Sequence, residues 1–510
     1  MTNIVTGSQM YAAEKNAVNR GSDFPELMER AGNACADIIY NEYCRQGSVK
    51  ALVLCGKGKN GGDGFVIARI LQEEGVDTTA ALLCSEPAEG DQLANYLLLK
   101  KTCAVIADCT GDINALSELI SEADIIIDAL FGTGFRGALP AFLADAAKAV
   151  NSSGKTLIAV DVPSGVNCDT CEIQGEVFEA DMTIAISAYK PVHITKPYNS
   201  VCGIVRVADI GITDGDYDSD VFTLDIDDIK SFLPERKADS NKGTFGHALC
   251  VCGSYKMPGA AYMSVSGALR TGAGLVTAAF PKSAYPALAV KLTEALLLPC
   301  DESDGGTFSA DSMPFLLEAS KKASSALIGC GLGLCDDTIN LVSSFIKDSV
   351  IPIVIDADGL NAVSGNPGIL RELKAPAVIT PHPGEMSRLT GKTIDEIIGS
   401  PVETAREFAK EYNCTVVLKG ANTVVCGEGG KRVYINRTGN NGLSKGGSGD
   451  LLAGMLVSLI AQGMNPFDAA CAAVFMHGDC ADKLAAKLSK RGMLVSDMIA
   501  YLPEYYGEFE

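Results

Sequence analysis

Asp450 stands where a carboxylate is unwelcome unless it handles a proton. It closes the run Lys445, Gly446, Gly447, Ser448, Gly449, Asp450 and opens an apolar segment that reaches Ala461. The glycines permit positive φ and let a ligand approach the backbone, and the helix start beyond them offers free N–H groups and a dipole that favour an anion. A carboxylate placed there repels phosphate oxygens, so its use is to take the proton of a hydroxyl that attacks phosphorus. The alternative is an ordinary helix N-cap, for which Asp after Gly is common.

A second group of polar residues falls in three glycine-bearing loops, 60–64, 131–138 and 161–165. The side-chain oxygens of Asn60, Asp128 and Ser164 suit a hard cation, either a monovalent ion or Mg²⁺. Asp161 ends an apolar run and precedes Pro163, which makes it the candidate general acid or base. Each acid alone reads as a cap or turn residue; together they read as a site. Lys419 with Thr423 reads either as a phosphate or adenosine contact or as a solvated lysine. His382, between Pro381 and Pro383, reads either as a ligand contact near neutral pH or as a structural histidine. The four histidines, at 193, 247, 382 and 477, are too dispersed to announce a metal cluster.

Strand ends and helix starts must hold these residues. Periodicity predicts helix over 9–40 with a break at 21–25, a strand at 51–55, a glycine turn over 56–64 and a helix over 65–74. The turn lacks the Lys-Ser or Lys-Thr of a P-loop and only loosely carries Gly-x-Gly-x-x-Gly. Strands follow at 79–84, 103–107, 124–130, 156–160 and 182–187. This alternation predicts a doubly wound parallel sheet with ligands at the carboxyl ends of its strands. The second half repeats the pattern: strand 247–252, turn 253–259, helix 260–270, then strands running into loops at Gly329, Asp356, Pro381 and Lys419. The acidic stretch 213–228 and the polar run 235–242 read as the boundary, giving units over 1–215 and 235–510.

A chain of 510 residues exceeds one core, so two or three units are expected. Acidic residues outnumber basic ones 63 to 42, and the net charge of −21 disfavours nonspecific binding to nucleic acid or an anionic membrane. An anionic ligand therefore needs a local site. The start of the chain has no basic segment before an apolar core, and the apolar run at 451–461 is far below the ~20 residues of a membrane span. A cytoplasmic protein is expected. The 18 cysteines are scattered as buried hydrophobes would be, and Cys168 with Cys171 has no second pair at zinc-ribbon distance.

The first half, to about residue 215, resembles the NAD(P)H-hydrate epimerase family, whose order of motifs is met by 27–32, 60–64, 128–134 and 161–165. The resemblance implies K⁺ on Asn60, Asp128 and Ser164. It implies a hydrated nicotinamide nucleotide against Lys59, Asn60, Gly61, Gly62, Asp63, Gly132, Thr133, Gly134, Phe135, Arg136, Gly137 and Ala138, with Asp161 assisting inversion. Lys59 replaces the usual asparagine, and Cys168 and Cys171 lie where the family usually has none.

The second half resembles the ribokinase-like fold and, within it, the ADP-dependent NAD(P)H-hydrate dehydratase family, on 242–247, 258–261, 329–333, 381–386, 419–423 and 446–454. Cys330 stands where proline is common. The resemblance implies hydrate contacts from Ala261, Gly331, His382 and Asp450, and adenine nucleotide contacts from Lys419, Gly420, Ala421, Asn422, Thr423 and Gly449. It also implies ADP as co-substrate with ATP as an alternative, Mg²⁺, catalysis by Asp161 and Asp450, and a homo-oligomer. Two other readings stay open: a ribokinase-like kinase of vitamin precursors, and a nucleotide-binding scaffold without turnover.

Overall fold

The computed structural model describes residues 1–45 and 47–509. The chain folds as two compact units, Thr2–Val221 and, from Phe222 onward, the remainder together with Met1. In the first unit seven strands form one parallel sheet: β1 (Lys50–Cys55), β2 (Asp77–Leu82), β3 (Val105–Asp108), β4 (Ile125–Ala129), β5 (Thr156–Val160), β6 (Met182–Ile186) and β7 (Ile204–Ala208). Their spatial order is β3-β2-β1-β4-β5-β6-β7. The chain steps outward from β1 to β3 and then returns to the other side of β1, so its winding reverses between β1 and β4. Ala51, Val53 and Cys55 face one core and Leu52 and Leu54 the other, as expected of strands covered on both faces.

Three helices complete the part of this unit that matters for chemistry: α1 (Gly7–Asn19), α2 (Phe24–Ile39) and α3 (Lys59–Glu73). The glycine turn expected over 56–64 is helical from Lys59 on. Glycine opposes helix by propensity, but the packing demands it. A Cβ on Gly61 would lie 1.8 Å from the Gly56 carbonyl oxygen.

The second unit repeats the design with β8 (His247–Val251), β9 (Leu275–Pro281), β10 (Leu296–Cys300), β11 (Ser325–Ile328), β12 (Ile353–Ile355), β13 (Ala377–Ile379) and β14 (Thr415–Leu418). β15 (Val424–Cys426) and β16 (Val433–Ile435) add to β14 as antiparallel strands, giving the run β16-β15-β14-β13-β12-β11-β8-β9-β10. Here the winding reverses between β8 and β11. The helices that bear on this reversal are α4 (Pro258–Arg270), α5 (Pro383–Thr390), α6 (Ser448–Ala461) and α7 (Pro466–Leu488).

Helix α6 is apolar on all sides and buried along its length apart from its first turn, as a helix enclosed by its own unit must be. It touches α4 backbone to backbone. A Cβ on Gly454 would fall 2.0 Å from the Ser264 carbonyl oxygen, and one on Gly267 2.8 Å from that of Leu451.

The acidic stretch expected as a linker is folded. Asp225 accepts the N–H groups of Asp227 and Asp228 and caps a helix at Ile226–Phe232, while Phe222, Leu224 and Ile229 enter the core of the second unit. Among the described residues no helix is long and apolar enough to cross a membrane, and the cysteines are free thiols.

Candidate active sites

Both candidate sites lie at the carboxyl ends of the strands where the winding reverses, the usual ligand position in such sheets. In the first unit Asp161 follows β5 with φ of 66°, a left-handed conformation that Asp tolerates better than most residues. Its Oδ1 accepts the Lys190 ammonium at 2.5 Å and the Ile186 N–H at 3.3 Å. Lys190 is wholly buried and also donates to the Ile186 carbonyl at 2.7 Å. His193 Nδ1 accepts the Lys190 N–H at 3.0 Å, so Nε2 carries the proton and donates to the Asp161 carbonyl at 2.8 Å. Burial pushes the His193 pKa down to about 3, which keeps the ring neutral. The free oxygen of Asp161, Oδ2, faces Gly132, where a Cβ would lie 3.2 Å from it and 3.4 Å from Asn60 Oδ1.

The expected cation trio is close to this point. Asp128 is fully buried and accepts the Ser164 N–H at 2.7 Å, the Ser164 hydroxyl at 2.7 Å and the Leu130 N–H at 3.1 Å. Burial still lifts its pKa to about 6 despite those bonds. Asn60 spends its Nδ2 on the Val160 carbonyl at 3.2 Å, which leaves its oxygen turned outward. An all-oxygen set around a buried carboxylate with no protein cation of its own fits K⁺.

A cleft of about 970 Å³ opens beside Asp161, and Lys59, Asn60, Asp63, Gly132, Thr133, Gly134, Phe135, Arg136 and Ala138 line it. Gly61, Gly62 and Gly137 do not reach its wall. Gly61 presses on Gly56 and a Cβ on Gly62 would strike Met28 Sδ at 2.6 Å, so the absence of a side chain at both lets the helix pack closely. Arg136 donates to the Thr133 and Phe135 carbonyls at 2.8 and 2.6 Å and to Asp169 at 2.7 Å, fixing the loop. Lys59 lies 3.5 Å from Glu14 and over the rings of Tyr11 and Phe24.

In the second unit Gly447, with φ of 92°, turns the chain into α6, and Asp450 is the third residue of that helix. The N–H groups of Gly449 and Asp450 belong to the first turn, where a helix supplies no internal acceptor. Burial and, after it, the nearby Asp356 carboxylate push the Asp450 pKa up to about 6. Asp356 is itself buried at the end of β12 and pairs with the Lys419 ammonium at 2.9 Å. Lys419 also lies 3.8 Å from Glu385. Burial works against the lysine's charge, but the two acids outweigh it and raise its pKa. A Cβ on Gly449 would stand 3.4 Å from the Lys419 ammonium, so this cation borders the glycine turn.

Other expected contacts play mixed parts. His382 caps α5, its Nδ1 accepting the N–H groups of Gly384 and Glu385 at 3.0 and 3.3 Å, with Nε2 3.5 Å from Glu385. Ala261 is buried, and a Cβ on Gly253 would press on its side chain at 2.8 Å. Gly331 has φ of 66° and no room for a side chain beside Ala260 and Met257. Thr423 donates to the Gly420 carbonyl and Asn422 to that of Asn436, which shapes the turn around Ala421 between β14 and β15.

The sequence reading missed Lys190, His193, Asp356, Glu385 and His477. His477 lies under the glycine turn, 3.4 Å from Ser448 Oγ, and burial holds its pKa down to about 4. Asp356 was within reach, since it ends an apolar strand as Asp161 does. Nothing local marks Lys190, which finds its acid 29 positions back along the chain.

Fold and geometry together define an α/β enzyme of two units, each with a sheltered aspartate at the carboxyl edge of its sheet near a reversal of strand order. A family model described as NAD(P)H-hydrate dehydratase matches residues 248–504, and one described as YjeF-related protein N-terminus matches 25–192. The bifunctional NAD(P)H-hydrate repair enzyme of Moorella thermoacetica is 36% identical over 486 residues, covering 94% of this chain and 91% of the relative. That of Thermofilum pendens is 35% identical over 495 residues, covering 97% and 93%. A solved ribokinase-like superfamily protein from Enterococcus faecalis superposes with a TM-score of 0.51 at 25% identity, covering 57% of this chain and 98% of its own. The chain belongs to the bifunctional NAD(P)H-hydrate repair enzymes: its first unit is an epimerase and its second a dehydratase of hydrated NAD(P)H.

Proposed function

We propose that the first unit interconverts the R and S hydrates with Asp161 as its acid–base group, and that the second dehydrates the S hydrate at the expense of ADP. The observation that carries the second half is Asp450 in the first turn of α6, half-sheltered beside Asp356 and Lys419. Water is a poor leaving group. Transfer of the terminal phosphoryl group of ADP to the hydrate's hydroxyl, whose proton passes to Asp450, makes that oxygen leave as phosphate. The ring nitrogen's electron pair expels it, the neighbouring C–H proton is lost, and dihydronicotinamide and AMP remain. The amides of the glycine turn steady the charge on phosphorus.

Lys419, Gly420, Ala421, Asn422, Thr423 and Gly449 hold the adenine nucleotide in this reading, and Ala261, Gly331 and His382 border the hydrate. Mg²⁺ would be held through the nucleotide's phosphates, supplying charge neutralisation there. K⁺ on Asn60, Asp128 and Ser164 would steady the rim of the first site electrostatically. ATP in place of ADP is compatible with the same turn.

Mixing hydrated NADH with ADP and following the return of nicotinamide absorbance tests the proposal. Recovery of the chromophore with AMP and phosphate supports it; a stable phosphoester without recovery would make the second unit a kinase.

A further inference from the structure

Epimerisation needs a proton given as well as a proton taken, and Asp161, with one oxygen bound to the Lys190 ammonium and the other turned to the cleft, is one of the two groups required. The second is to be sought among the other groups that open into the same cleft. Glu14, Lys59, Asp63, Asp91, Arg136, Asp161 and Lys190 are the charged residues on its wall. Arg136 and Lys190 are bound to Asp169 and Asp161, and Glu14 lies 3.5 Å from the Lys59 ammonium. Asp91 is part-exposed in the first turn of the helix Gly90–Leu99. Asp63 differs from all of these. It is only 8% exposed, on the second turn of α3, and no hydrogen bond or ion pair engages its carboxyl among the described residues.

A buried carboxyl with no partner is expensive to ionise. Burial raises the Asp63 pKa well above the ordinary carboxylate range, and the negative charges of Asp161 and Glu14 add to the rise against the opposing pull of Lys59. Cys35 of α2, the remaining titratable neighbour, is buried and its thiol stays protonated. Asp161 and Asp63 thus form a pair of carboxyl groups in unlike settings, one matched with a cation and one left alone. Such a pair divides into base and acid.

We propose that Asp63 is the proton donor of the epimerase, the counterpart of Asp161 across one hydrated ring. This deepens the epimerase reading above and rests on it. The Asp63 proton passes to the ring hydroxyl, the C–O bond breaks with its electron pair, and water departs while the ring nitrogen's lone pair forms C=N. A water then enters the other face, giving its proton to Asp161 Oδ2 as the new C–O bond forms and the C=N pair returns to nitrogen. One inversion moves one proton from Asp63 to Asp161, and the reverse reaction runs through the same groups with their parts exchanged.

The test uses the full chain, whose dehydratase activity reports that each variant is intact. Asp63→Asn should slow epimer exchange by about 10²-fold or more with little change in KM, and Asp63→Glu should restore part of the loss. The wild-type rate should fall as pH rises through the donor's ionisation, and the Asn variant should lose that limb. In H₂¹⁸O each inversion should carry one solvent oxygen into the product. A raised KM with an unchanged pH profile, retention of the original oxygen, or loss of exchange in Glu14→Gln but not in Asp63→Asn would overturn the assignment. If Asp161→Asn also exchanges epimers normally, the whole epimerase reading fails; if it is inactive while Asp63→Asn is normal, only the donor is wrong.

Discussion

Each unit sets an aspartate at the carboxyl edge of its sheet, Asp161 directly after β5 and Asp450 in the first turn of α6, and the two are treated in opposite ways. Asp161 is gripped by Lys190, a fully buried cation used for nothing else but one carbonyl. Asp450 has no cation of its own, because the nearby ammonium of Lys419 is already committed to Asp356. The first carboxylate is bound to a cation through one oxygen; the second is not, and its pKa is raised to about 6. The comparison teaches that position within a fold selects where chemistry happens, whereas the neighbouring countercharge selects which chemistry.

Replacing each aspartate breaks the comparison most sharply. Asp450→Asn should lower dehydration by roughly 10²–10⁴-fold and spare epimer exchange, and Asp161→Asn should do the reverse. Separate assays of the two activities on each purified variant check this, and loss of both activities from either folded variant would show that the sites are not independent. Lys190→Met should come next. Removing one partner of a buried pair costs about 3–5 kcal/mol, visible as a lowered unfolding midpoint of the first unit and as lost epimer exchange, with dehydration retained. Gly454→Ala, which drives a methyl group into the Ser264 carbonyl, should cost the second unit about 1–3 kcal/mol by thermal unfolding.

The smallest effect concerns pH. A base with pKa about 6 is protonated as pH falls, so dehydratase kcat/KM should drop tenfold per unit below that value. Lys419 lowers the Asp450 pKa, so Lys419→Met should move the acid limb to higher pH in a kcat/KM profile. An unmoved limb would show that Lys419 does not tune this acid.

The sequence was most legible where chemistry coincides with a strand end. Asp161 follows an apolar strand, Asp128 is the last polar residue of one, a position before its end, and Asp450 opens an apolar helix, and local pattern suffices to find them. Lys59 to Gly64 was misread as a turn because glycine content speaks against helix, while the reason for the glycines is contact with Gly56 and Met28, which only the assembled fold supplies. The stretch 213–228 was read as linker on its acidity, yet Asp225 spends that acidity on capping and three apolar residues within and just beyond it, Phe222, Leu224 and Ile229, anchor the segment. Lys190 was invisible because its meaning depends on a partner brought to it by the pairing of β5 with β6.

The left-handed backbone at Asp161 narrows what inheritance can do there. Few residues sit easily at that φ, chiefly glycine, asparagine and aspartate. On the proposed role of Asp161, an asparagine or glycine there would keep the backbone of the cleft while removing the carboxylate.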